Sequence, residues 1–77
     1  MEFPVYYKTD KQGFEKLLNE ANLQLGLPDG NGNDTYCNPI IDINGEYWFM
    51  VNLEVANLVD LSECFTAESI NFPNVEM

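Results

Sequence analysis

Phe14, Leu17, Leu18, Ala21 and Leu25 follow one another at offsets of three, four, seven and eleven residues, which draws a single apolar face along a helix. The segment opens at Thr9-Asp10-Lys11-Gln12, where Thr9 has capping-box spacing to Gln12 and Asp10 is an alternative N-cap one residue on. Gly26 followed by Leu27-Pro28 supplies the stop, while Gly13 weakens the first turn. Ahead of the helix, Phe3-Pro4-Val5-Tyr6-Tyr7-Lys8 is β-prone. Proline donates no N–H to a ladder, so Pro4 places this run on an edge strand or at a strand's first position.

Residues 28 to 35 are dense in Gly, Asn and Asp and predict a loop in which the chain reverses. Beyond it, Ile40-Ile41-Asp42-Ile43 and Glu46-Tyr47-Trp48-Phe49-Met50-Val51 flank Asn44-Gly45. An Asn-Gly pair between β-rich runs favours a two-residue type I′ turn, which pairs Ile43 with Glu46 and Ile41 with Trp48. That register puts Ile41, Ile43, Trp48 and Met50 on one face and Ile40, Tyr47, Phe49 and Val51 on the other, both apolar. Such a hairpin is either sandwiched within the fold or turns one apolar face to a partner.

The last third carries two overlapping patterns, a helical stripe of Val51, Val55, Leu58, Val59 and Ser62 and a broken alternation of Leu53, Val55, Val59 and Leu61. Together they predict a short helix near residues 53 to 58, then extended segments at Leu61 to Phe65 and Ser69 to Phe72. Thr66 is placed to cap a further short turn, and Pro73 ends regular structure. With no repeat or linker, residues 1–77 predict one small α+β domain: an amphipathic helix packed on an antiparallel sheet that contains a central Asn-Gly hairpin.

A chain of 77 residues buries only about 60 to 65 per cent of its unfolded surface, so its stability is marginal. The hydrophobic fraction of 45%, with five Phe, four Tyr and one Trp, still suffices for a core and argues against a disordered acidic tail. The net charge of −10 is unevenly placed. Lys8, Lys11 and Lys16 are the only cationic side chains and are matched by Glu2, Asp10 and Glu15; from Asn19 onward there are ten carboxylates and no Lys or Arg. DNA, RNA and anionic membranes are therefore disfavoured as direct partners. Neither a membrane span nor a signal peptide is expected, which predicts a cytoplasmic protein with Cys37 and Cys64 as reduced packing residues.

Without histidine or arginine, the usual triads, catalytic zinc sites and bidentate phosphate clamps have no residues to build them. No enzyme, cofactor or metal site is expected. The loop Asp29-Gly30-Asn31-Gly32-Asn33-Asp34 begins like an EF-hand. It places Asp34 where glycine is needed and Ile40 where the closing Glu belongs, so a plain turn outranks weak calcium binding. Gly30 and Gly32 follow a helix with no Lys after them, unlike a phosphate loop.

What remains is binding. An acidic surface that selects a basic protein surface leads, with Asp42, Glu46, Trp48, Glu54, Asp60 and Glu63 as interaction candidates and Trp48 standing equally for core or interface. A homo-oligomer completed by the apolar hairpin, or by the edge strand near Val5, is the alternative. Against both, the acids are thinly spread, as in a protein whose charge serves only solubility. In size and charge the chain resembles the small acidic accessory proteins that phages and mobile elements encode, some of which inhibit host systems. The likeness implies an inhibitor or nucleic-acid mimic and carries no site residues.

Overall fold

The computed structural model describes residues 2–27 and 35–70. Strand β1 (Val5–Thr9) leads directly into helix α1 (Lys11–Leu25), because Asp10 is extended and its Oδ1 accepts the Gly13 N–H at 2.7 Å. Of the two candidate caps, Asp10 is the one used. The helix closes as its sequence predicts. Gly26 adopts φ 74, its N–H reaching Leu23 O at 3.1 Å while the Leu27 N–H reaches Asn22 O at 2.9 Å. Gly13 also has a steric reason to lack a side chain, since a Cβ there would collide with Thr9 Oγ1.

Strands β2 (Ile40–Ile41) and β3 (Tyr47–Val51) complete a three-stranded antiparallel sheet in the order β1-β3-β2. Strand β3 is central and β1 lies at an edge, consistent with Pro4 beside it. Facing positions run from Val5 opposite Val51 to Thr9 opposite Tyr47. Val5, Val51, Tyr7, Phe49 and Tyr47 therefore share the face that α1 covers. There Phe14 meets Phe49 edge-on at a centroid distance of 5.9 Å and Tyr47 at 6.2 Å, and Tyr36 lies 5.6 Å from Phe49. Val5, Phe14, Ala21, Phe49, Val51 and Val55 form the buried core. Full burial of a side chain such as Phe49 contributes about 1.5–3 kcal/mol. Leu17 and Leu18 are half-buried against this core, and Leu25 is exposed.

The hairpin corrects the predicted register. Ile40 pairs with Trp48 and Ile41 with Tyr47, one residue away from the pairing that a two-residue type I′ turn would impose. The Asp42 N–H reaches Glu46 O at 3.0 Å and the Gly45 N–H reaches Asp42 O at 3.0 Å, with Gly45 at φ 84. This is a three-residue connection: a β-turn followed by a left-handed glycine. Its cause is Asp42, since aspartate at the first position of a type I turn with glycine at the fourth is a favoured combination. The slip moves Ile41 to the helix-side face, opposite Tyr47, and leaves Ile43 in the connection, 64% exposed.

After β3 the chain forms 3-10 turns at Leu53–Leu58, Leu61–Glu63 and Ala67–Ser69. The first matches the short helix expected there, tighter than an α-helix and kinked at Val55 (φ −120, ψ 18), whose side chain is fully buried. The extended segment expected at Leu61 to Phe65 is replaced over Leu61–Glu63 by a 3-10 turn, and of the one expected at Ser69 to Phe72 the described residues are Ser69, which closes the third turn, and Ile70, which is extended (φ −118, ψ 134). Asp60 caps the second turn through its side chain, and only Phe65 pairs as a strand would, exchanging hydrogen bonds of 2.8 and 2.9 Å with Tyr6. Thr66 stands before the third turn without a side-chain bond to the backbone. Of the loop predicted at 28 to 35, Thr35 is described and lies outside regular structure; residues 28–34, with the calcium candidate among them, and Phe72 and Pro73 lie outside the described residues.

Candidate functional site

Three of the six interaction candidates converge on the hairpin loop. Asp42 accepts through Oδ1 from the N–H groups of Asn44 (2.8 Å) and Glu46 (3.0 Å), and through Oδ2 from the Trp48 indole N–H at 2.9 Å. The indole bond is the largest influence holding the Asp42 carboxyl below the usual carboxylate range; the backbone bonds and the Lys8 charge add to it against partial burial. Trp48 is 6% exposed and Asp42 8%. Phe65 stands edge-on to Trp48 at 5.7 Å, on the sheet face away from α1. Of the two readings open for Trp48, burial is the one realised. Asp42 and Trp48 are turned to each other, and little of either side chain is open to solvent.

Glu46 is exposed beside them, 3.7 Å from the Lys8 ammonium that β1 places next to the loop. An ion pair this open to water contributes about 0–1 kcal/mol. Glu54, Asp60 and Glu63 lie on the 3-10 segment instead, all exposed, and Glu68 joins them. The residues 53–69 thus carry four exposed carboxylates and no cation. Asp60 is committed locally, accepting from the Ser62 hydroxyl at 2.7 Å and its N–H at 3.0 Å, which lowers its pKa. Glu54, Glu63 and Glu68 remain as the outward members of this run.

The cysteines are poor nucleophiles. Burial pushes the Cys37 thiol up to about 11, and burial together with the charges of Asp60 and Glu63 raises Cys64. Both are free thiols. Among the described residues no group of three or more Cys, Asp or Glu is arranged to hold a metal ion. In the same residues no helix is long and apolar enough to cross a membrane.

Asn22, which the sequence pattern did not single out, and Tyr36, one of the aromatics that could have served core or interface, organise the middle of the fold. Asn22 is 4% exposed, and its Oδ1 accepts the Tyr36 N–H at 2.7 Å. Its position next to Ala21, on the flank of the apolar helical stripe, was the available signal. Tyr36 in turn donates its hydroxyl to Met50 O at 2.9 Å and accepts the Asn52 N–H at 3.2 Å. Strand β2 is only two residues long, and this phenol serves backbone groups at the end of β3 and just after it, beyond the reach of β2. Burial, opposed by the Asn52 N–H, raises its pKa to about 12.

Among the described residues, two clefts flank the helix. One, of about 300 Å³, lies between Lys11–Leu18 of α1 and residues 35–39, with Phe14, Leu18, Cys37 and Tyr47 among its walls. The other, of about 390 Å³, runs between α1 and Leu58–Asp60 and is bordered by Tyr7, Lys16, Glu20 and Asp60. No protein-family model, curated protein or solved structure matches the chain.

Proposed function

We propose that this is a non-catalytic protein-binding module, of cytoplasmic setting, whose acidic exterior selects a basic surface on another protein. The observation that carries the reading is the 53–69 segment, where Glu54, Glu63 and Glu68 project from successive 3-10 turns with no Lys or Arg among them. Charge of one sign raises the association rate with cationic partners and rejects anionic ones. An inhibitor that covers a nucleic-acid site on its target, of the phage or mobile-element kind, is the specific form this takes. The absence of histidine and arginine from the sequence and the raised thiol pKa values of both cysteines support a role without catalysis.

The test is capture of basic proteins from a lysate across a salt series, with the triple variant Glu54→Gln, Glu63→Gln, Glu68→Gln in parallel. Retention that falls as salt rises and is lost in the variant supports the proposal; salt-independent retention, or equal capture by the variant, defeats it. A homo-oligomer is the second reading, favoured by Ile41 and Ile43, 41% and 64% exposed beside the short edge strand β2. It predicts a dimer mass that survives high salt, whereas acidic recognition predicts a monomer.

A further inference from the structure

We propose that the cleft between the first two turns of α1 and residues 35–39 binds a free α-amino acid with an apolar side chain. This site is distinct from the acidic run and does not depend on it. The cleft measures about 300 Å³, at the lower end of small-ligand sites and sufficient for one amino acid. Its walls are apolar and aromatic: Phe14 and Tyr47, with ring centroids 6.2 Å apart, together with Leu18 and Pro39. The Cys37 thiol, kept neutral by burial, completes them without adding charge.

The rim carries the specificity. Lys11 and Glu15 border the same cleft from successive turns of α1, both exposed, and among the described residues neither has an ion-pair partner. Side chains four apart on a helix start about 5–6 Å from each other, close enough for one to meet a carboxylate and the other an ammonium on the same α-carbon. Thr35 and Asn38 add neutral polar groups to the lining. A phosphate would meet Glu15 beside the single cation, and a purely apolar molecule would leave both charges without a role. A zwitterion with an apolar side chain uses every part of the lining.

The experiment is an amide-resolved NMR titration of the full chain with L-phenylalanine, 3-phenylpropanoate and 2-phenylethylamine. The three probes share a ring and differ in which charges they carry. The expected result is saturable shifts at Phe14, Leu18 and Tyr47 with L-phenylalanine, and affinity lower by roughly two- to fivefold for each probe that lacks one charge. Lys11→Gln should erase the preference over 2-phenylethylamine and Glu15→Gln the preference over 3-phenylpropanoate. Equal affinity for the three probes, shifts confined to other surfaces, or no saturable shift overturns the proposal. The wild-type probe series decides the matter even if a variant folds poorly.

Discussion

The Trp48 indole N–H donates to Asp42 Oδ2 at 2.9 Å, and the same carboxylate also holds the N–H groups of Asn44 and Glu46. One side chain thereby closes the hairpin loop and anchors the buried tryptophan on the far face of the sheet. The pairing fixes which residues of the hairpin face the helix.

Asp42→Ala should lower the urea midpoint and shift Trp48 fluorescence to the red, with a larger loss of stability than Asp60→Ala, whose carboxylate caps only an exposed turn. Asp42 titrates below its ordinary value of 3.8 in the folded protein. Its contribution is complete above that value and is lost as pH falls through the lower folded pKa. Self-repulsion among the other carboxylates acts in the opposite direction, easing as pH falls toward the pI near 4.1. Stability should therefore rise on mild acidification and then drop below about pH 3.8. Urea midpoints against pH give the curve, and Asp42→Asn should flatten its acid limb.

Tyr36→Phe removes the hydroxyl that Met50 O and the Asn52 N–H share. The loss should be about 1–3 kcal/mol, since both backbone groups are left without that partner. The phenol's pKa is raised from 10.0 to about 12 in the folded state. Its stabilising effect is accordingly full below pH 10 and disappears as pH rises toward 12. Alkaline unfolding in this window should be steep for the natural chain and shallower for Tyr36→Phe.

Asn22→Leu should destabilise by about 1–3 kcal/mol even though it lengthens the apolar stripe, because the Tyr36 N–H then has no acceptor there. Denaturant titration measures the change. A neutral or stabilising outcome would show that the Tyr36 backbone finds another partner at no cost.

Gly13→Ala reverses the ordinary helix ranking. Alanine is favoured over glycine by roughly 1 kcal/mol within a helix, yet a Cβ at this position meets Thr9 Oγ1. Gly13→Ala alone should lower the thermal midpoint, and Thr9→Ala with Gly13→Ala should recover it. If the single variant is already more stable, the threonine rotates away freely and the contact does not matter.

Helix α1 was legible in the sequence because its determinants are local: the apolar period, the Asp10 cap and the Gly26 stop each act within about two turns of chain. The same holds for the β character of Val5–Thr9 and Tyr47–Val51, and for the choice of one helix against an antiparallel sheet. The hairpin register was misread because Asn44-Gly45 fits two connections, and the Asp42 carboxylate with its three N–H donors selects the longer one. Leu61 to Phe65 was misread as extended, whereas the short turn expected after Thr66 is present at Ala67–Ser69. The course of Leu61 to Phe65 is set by Asp60 as a cap and by the pairing of Phe65 with Tyr6, some sixty residues away in sequence.

Of the candidate site, the sequence by itself determined the charge: cations confined to the first sixteen residues, and ten carboxylates with no Lys or Arg among them from Asn19 onward. Composition settles this, and no folding event alters it. Tertiary structure decided which of those residues face outward, turning Asp42 and Trp48 toward each other while leaving Glu54, Glu63 and Glu68 in solvent. It also brought Lys11 and Glu15 to the rim of a cleft walled by Tyr47 and residues 35–39. Burial and facing are properties of long-range packing, and a linear pattern holds only the local half of that information.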